Sequence, residues 1–213
     1  MPVYSFYKLS TTSFCLIGSI QESLPALRAQ LSSQFLADFQ RLNLSSKDRI
    51  RQSLSVRVFL CCLLKKLGLP ILPLSKNQQG RPVLENSNLH ISFAHTRYIA
   101  AVALSTAFPI GIDIETIKPS LAKIQSRFLT DIEAKNANNC LETLAIYWAG
   151  KETLYKRLDG EQMATNKNIF IEPFDLQTEG KLIAHLSDKK YTMGYQQLVA
   201  KGVPSHVLVY SKT

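Results

Sequence analysis

Asp113 and Glu115 stand two residues apart in the apolar run PIGIDIE. Strand side chains alternate faces, so Ile110, Ile112 and Ile114 share one side and Gly111, Asp113 and Glu115 the other. Two strand steps separate the carboxylates by roughly 7 Å. At that spacing both can reach one cation, and without one they sit poorly in apolar surroundings. The alternative is a strand end running into solvent, with Glu115 opening the turn toward Lys118-Pro119. A third carboxylate lies in LETLAIYWAGKETLYKRL, where Leu144, Trp148, Glu152 and Lys156 follow one another at four-residue spacing on one helix face. Glu152 comes after the large apolar Trp148, so its carboxylate is expected to be partly buried and to need a compensating charge. Lys156 can supply that charge as an i,i+4 pair, a weak interaction on an exposed helix. Asp113, Glu115 and Glu152 together offer three hard oxygen ligands suited to Mg²⁺, which takes few protein carboxylates and completes its shell with water and substrate phosphate. Lys151 and Lys156 would flank a phosphate-bearing ligand. The chemistry is attack at phosphorus, helped by metal and lysine charge. Residue types alone leave a nuclease and a phosphoryl-type transferase both open.

These groups need elements to hold them. VYSFYKLS and SFCLIGSI are expected as two short strands, rich in aromatic and β-branched residues. QESLPALRAQLSSQFLADFQRL switches to a helical period through Leu24, Leu27, Leu31, Phe35 and Phe39. A second helix runs through SSKDRIRQSLSVRVFLCCLLKKLG, with Ser45 or Ser46 as N-cap, Gly68 as C-cap and Pro70 beyond. SKNQQGRPVLENSN is expected as a turn-rich loop. LHISFAH and YIAAVALS follow as strands around AHTR, and then IGIDIE. After Pro119, SLAKIQSRFLTDIEAKN and LETLAIYWAGKETLYKRL are helical, and GKLIAHL, YTMGYQQL and SHVLVYS return to strands. That order fits an α+β protein of two similar-sized halves with a boundary near residues 105–110, drawn here as 1–107 and 108–213. No sequence repeat is present.

The 213 residues suffice for one large domain or two small ones, and a hydrophobic content of 46% indicates a folded core with no collagen-like or disordered bias. The strongest apolar run, VFLCCLL, stops at Lys65-Lys66, far short of the roughly 20 residues a spanning helix needs. MPVYSFYKLS lacks a basic segment followed by an apolar core, so no signal peptide is expected. Cys15, Cys61, Cys62 and Cys140 form no CxxC pair and no zinc-like cluster. A reduced, cytoplasmic setting follows. The net charge of +9 calls for an anionic partner. Its basic residues are scattered and lack the aromatic interleaving of a single-strand binder, and a nucleic acid, a phosphorylated ligand, an anionic membrane and an acidic protein all stay open on charge alone; only with the resemblance given next is neither nucleic acid nor membrane expected.

PIGIDIE, RFLTDIE and WAGKETLYK resemble the three ordered motifs of the 4′-phosphopantetheinyl transferases, and GRPVL and HISFAH resemble two more of the larger, Sfp-type members. The resemblance spans roughly residues 80 to 156, in order. It implies two similar α/β halves in one chain related by a pseudo-twofold axis, acting as a monomer, with coenzyme A as co-substrate bound between them. The implied reaction moves the 4′-phosphopantetheine arm of coenzyme A to a serine of an acyl or peptidyl carrier protein and releases adenosine 3′,5′-bisphosphate. By this resemblance Asp113, Glu115 and Glu152 match the Mg²⁺ positions. Glu133, closing RFLTDIE, matches an active-site acid, and either it or Glu152 would help deprotonate the carrier serine. Lys156 matches the lysine on the coenzyme A phosphates, and His95 the histidine near the 3′-phosphate. Ala94 stands where many relatives have Ser, which removes one hydroxyl contact. Arg81 of GRP sits where relatives place a basic residue near adenine and phosphates. Arg57 and Arg51, on the second helix, would reach the 3′-phosphate through the planar fork that suits two oxygens at once. Gly150 in WAGKET departs from good helix formers at a cost of up to about 1 kcal/mol against Ala.

The resemblance also accounts for the charge: carrier proteins are acidic, and a basic partner surface speeds encounter and orients docking. RFLTDIEAKNANNCLE would be the docking surface, with Phe128 and Leu129 as candidate apolar contacts. Two other classes compete. A Mg²⁺-dependent nuclease uses the same ingredients but places glutamate and lysine two apart on a strand, whereas Lys151 and Glu152 are adjacent on a helix. A non-catalytic binder of carrier protein or coenzyme A would not need all three carboxylates and Lys156.

Overall fold

A mixed α+β chain emerges from the computed structural model, which describes residues 4–158, 168–199 and 202–212. It divides into two units, Met1–Pro109 and Ile110–Thr213, each with a hydrophobic core of its own. No helix among the described residues is long and apolar enough to cross a membrane.

In the N-terminal unit, β1 (Tyr4–Lys8), β2 (Ser13–Ser19), β5 (His90–His95) and β6 (Ile99–Ser105) form an antiparallel sheet of order β1-β2-β6-β5. The central strand β6 is buried along its whole length, which is why YIAAVALS shows no polar alternation. α3 (Lys47–Lys66) lies on this sheet, and Leu54, Val58 and Phe59 share its core with Leu16, Val102 and Leu104. Gly68 follows α3 at φ +66, the left-handed position that closes a helix without a Cβ penalty.

Two expectations fail here for local reasons. The single helix expected before α3 is broken into α1 (Leu24–Ala29) and α2 (Ser33–Gln40). Ser23 and Ser32 each accept an N–H three residues on, from Ala26 and Phe35, capping the starts of α1 and α2, and the cap at Ser32 begins a new helix inside the expected one. Leu27, Phe35 and Phe39 still point into the core, so the periodicity was real and only its continuity was not. The turn-rich loop contains a hairpin of β3 (Leu74–Lys76) and β4 (Pro82–Leu84). Asn77 Oδ1 accepts the N–H groups of Gln79 and Arg81, and Gly80 supplies φ +80 to close it.

The C-terminal unit carries an antiparallel sheet of order β7-β11-β10-β9-β8, made of β7 (Ile112–Thr116), β8 (Phe170–Ile171), β9 (Glu179–Leu186), β10 (Lys189–Leu198) and β11 (His206–Ser211). The helical stretch expected after Pro119 is α4 (Ser120–Ile124), a 3-10 turn at Gln125–Arg127 and α5 (Asp131–Ala137). Thr130 interrupts it by capping α5. α6 (Leu141–Arg157) packs on the sheet, where Leu144, Tyr147 and Leu154 meet Leu182, Met193, Tyr195, Val207 and Val209.

Two glycines set how closely α6 sits. A Cβ at Gly111 would collide with the Thr153 carbonyl oxygen and lie 2.9 Å from the Arg157 amide nitrogen, so the helix backbone rests directly on the start of β7. A Cβ on Gly150 would lie 2.8 Å from Ile171 Cδ1. The helix propensity lost at Gly150 is therefore exchanged for close approach of β8. Thr153 Oγ1 donates to the Val209 carbonyl at 3.1 Å and ties the same turn of α6 to β11.

Candidate active site on β7 and α6

Register fixes which way the β7 carboxylates point. Asp113 pairs with Val209 and Glu115 with Val207, and both valines belong to the core under α6. Cross-strand partners share a face, so Asp113 and Glu115 face α6 with Gly111, while Ile112 and Ile114 turn to the other side. This is the alternation expected from PIGIDIE.

The lysines complete the arrangement in a way the sequence does not reveal. Lys156, expected to balance Glu152 along the helix, reaches across to β7. Its Nζ lies 2.7 Å from Asp113 Oδ1 and donates to the Ile112 carbonyl at 3.1 Å. The side chains of Lys156 and Asp113 are 27% and 13% exposed, so the pair is partly withdrawn from water. Glu115 Oε1 lies 2.8 Å from Lys118 Nζ and accepts the Thr116 N–H at 3.0 Å. The i,i+3 spacing of Glu115 and Lys118 was the one signal that could have found this pair. Glu152 is half-buried on α6, one turn before Lys156. Hard carboxylate oxygens suit Mg²⁺ chemically. Nevertheless, among the described residues no three His, Cys, Asp or Glu side chains come together as a metal-holding group. As arranged, lysine ammonium groups hold the two strand carboxylates.

Glu133, expected at the reaction centre, is fully buried and its acceptors are engaged. Oε2 accepts from the Thr130 N–H at 2.7 Å and from Lys151 Nζ at 2.8 Å, and Oε1 accepts from the Ile171 N–H at 2.8 Å. Thr130 Oγ1 in turn accepts the Glu133 N–H, making a reciprocal capping box. The sequence signal was present as T-x-x-E in TDIE. Lys151, expected beside a phosphate, is equally buried and donates to the Phe128 carbonyl at 2.5 Å. Burial lowers the pKa of Lys151 from its usual value while Glu133 opposes that shift. A nuclease built on Lys151 thereby loses its cation. Phe128 is core, packed edge-on against Trp148 at 5.1 Å between ring centroids, and Leu129 packs at the margin of the same core. The exposed apolar side chain of that segment is Ile132, at 56%.

The basic residues of the N-terminal unit divide. Arg57 is buried on α3, with Nε 2.7 Å and Nη2 2.6 Å from Asp38 Oδ2 of α2, while Nη1 donates to the Ser53 carbonyl and hydroxyl. All three guanidinium nitrogens are committed to these acceptors. Arg51 is half-buried, with its Nε shielded from water and lacking a hydrogen-bond partner among the described residues. Arg81 is half-buried at the end of the Asn77–Gly80 turn, and His95 is exposed at the last position of β5.

Residues 109–208 match the family model of the 4′-phosphopantetheinyl transferase superfamily. That span stops short of half the chain and contains Asp113, Glu115, Glu133, Glu152 and Lys156, but none of Arg51, Arg57, Arg81 and His95. No curated protein matches the chain. Over the C-terminal unit, the chain is therefore similar to enzymes that transfer phosphopantetheine.

Proposed function

We propose that this protein transfers the 4′-phosphopantetheine arm of coenzyme A to the serine of an apo acyl or peptidyl carrier protein and releases adenosine 3′,5′-bisphosphate. The observation that carries the reading is the crossing of α6 over β7, which sets Asp113 against Lys156 inside the segment matched by the superfamily. Further support comes from the two units taken separately: each is an antiparallel sheet with one long helix on its face. That is consistent with the single-chain, pseudo-twofold Sfp-type arrangement and with a monomer.

In this reading Lys156 neutralises charge that accumulates on the pyrophosphate as its P–O bond breaks. Glu152 takes the proton of the carrier serine as the serine oxygen bonds to phosphorus. Glu133 has no part in that step, since it is buried in the first turn of α5 with its carboxylate engaged by Thr130, Lys151 and Ile171. Arg51, Arg81 and His95 would receive the adenine and 3′-phosphate end, and the unmet Nε of Arg51 is the donor best suited to an arriving phosphate oxygen. Asp113, Glu115 and Glu152 remain the Mg²⁺ donors of the reading, and the ion would supply Lewis-acid stabilisation of phosphate charge. Because lysines hold two of those carboxylates, no step rests on the ion. The basic net charge suits an acidic carrier protein.

The test is the intact mass of apo carrier proteins of the acyl and peptidyl types after incubation with the protein, coenzyme A and Mg²⁺. A mass gain of one phosphopantetheine that is lost with Lys156→Met is expected. No gain on either carrier type would overturn the reading.

A further inference from the structure

The Glu133–Lys151 pair is more heavily built than a helix cap requires. Both side chains are 0% exposed. Through them α6 is joined to the Phe128 carbonyl, to the first turn of α5 and to the Ile171 amide of β8. Burying two charges is costly, and an apolar pair of similar volume often stabilises as well or better. What an apolar pair cannot supply is direction: a carboxylate accepting from three donors, and an ammonium aimed at one carbonyl, allow one placement of the connecting segment. That placement seats Phe128 edge-on against Trp148, one turn before Glu152 on the same helix, and leaves Ile132 standing out at the surface.

We infer that Glu133 and Lys151 are a positioning pair that fixes the segment Gln125–Ala137 on α6 for recognition of the carrier protein, and that neither residue exchanges a proton with substrate. This rests on the transferase reading above. The pair acts through the segment it holds, so its loss alters how the carrier docks and leaves the chemical step in place.

The test compares Glu133→Gln, Lys151→Met and the double variant in the full chain, with an apo carrier protein, coenzyme A and Mg²⁺. The expected result for Glu133→Gln is a rise of about tenfold in KM for the carrier, with kcat within about threefold and the acid limb of the kcat–pH profile retained. The double variant, which buries no charge, is expected to recover the melting temperature while its carrier KM stays raised. Recovery of both would show a merely structural pair and overturn the inference, as would loss of kcat together with the acid limb, which would make Glu133 the base. Should the single variants fail to fold, the double variant carries the test alone. Hydrogen exchange provides the readout independent of activity: amides of Thr130–Ala137 are expected to exchange faster in the double variant. If the wild type modifies no carrier, the transferase reading fails by itself. Unchanged exchange in the double variant would separately overturn the positioning of the segment.

Discussion

Replacing Gly111 by Ala adds one methyl group where α6 touches β7, and the consequence can be worked from the contact. The new Cβ would collide with the carbonyl oxygen of Thr153 and sit 2.9 Å from the amide nitrogen of Arg157. Both atoms are helix backbone, so no rotamer change relieves the clash and α6 must move outward. Overpacking a core costs about 1–3 kcal/mol, and collision with backbone puts this case at or above the upper end, about 3 kcal/mol. For a unit of this size each kcal/mol lowers the melting temperature by roughly 4–8 °C, which gives a drop on the order of 12 °C or more. The chain has a single tryptophan, Trp148, and it sits on α6. Thermal melting followed by its fluorescence therefore reports the perturbed unit directly. Because Lys156 reaches Asp113 across the same helix–strand contact, transferase activity should fall even at temperatures where the variant is folded. Adding Thr153→Ala should not rescue it, since the clash is with backbone. A melting temperature within about 1 °C of wild type would refute the claim that α6 is seated on β7 at Gly111.

Three other perturbations test different parts of the structure. Arg57→Met strands Asp38 as a buried charge and is expected to cost about 3–5 kcal/mol by urea denaturation, whereas Arg57→Met with Asp38→Leu should recover most of that; equal losses in single and double variants would deny the pair its coupling. Ile132→Glu, at an exposed site, is expected to leave stability within about 0.5 kcal/mol and to raise KM for an acidic carrier protein; an unchanged KM would remove Ile132 from the docking surface. His206 on β11 is fully buried, and burial holds its pKa below the ordinary 6.5, with Lys118 pushing the same way and a hydrogen bond to the Pro204 backbone opposing. The unfolded chain then takes up the proton first, so the stability contributed by the neutral ring is complete above about pH 6.5 and is lost as pH falls below that toward the lower folded value. Melting temperature is expected to fall between pH 7 and pH 5 in the wild type and to depend less on pH in His206→Asn. An identical pH dependence in the variant would show that another group titrates.

Some of this fold is visible in the sequence because single elements carry their own evidence. β7 was legible because a two-residue period alone decides that Asp113 and Glu115 share a face, and the register against Val209 and Val207 agrees. α3 and α6 were legible because each is a long run rich in helix formers, and both are buried on nearly every side through their middle turns. The breaks at Ser32 and Thr130 were not, since a capping hydroxyl looks like an ordinary polar residue until the backbone N–H it accepts is placed. β8 has two residues, too few for a periodic signal, and it exists because β9 offers it an edge.

The site was legible to the extent that its residue types depend on near neighbours, and opaque where distant charges decide. Asp113, Glu115, Glu152 and Lys156 were singled out from spacing within one strand and one helix. Whether such a group meets solvent, substrate or another side chain depends on partners that spacing does not encode. Asp38 lies 19 residues from Arg57 and claims its fork, and Glu133 lies 18 residues from Lys151 and claims its ammonium. A charge on a helix beside a reaction centre is ambiguous in sequence for a physical reason: the desolvation that makes a group reactive also forces it to find a counter-charge. In Arg57, Glu133 and Lys151 the counter-charge is another side chain of the same unit, and the group becomes part of the frame. Lys156 differs in degree, since its pair with Asp113 stays partly open to water. The Lys118–Glu115 pair is more open still, and in the proposed transferase reading such partly open pairs are where a phosphate oxygen would take the place of a carboxylate.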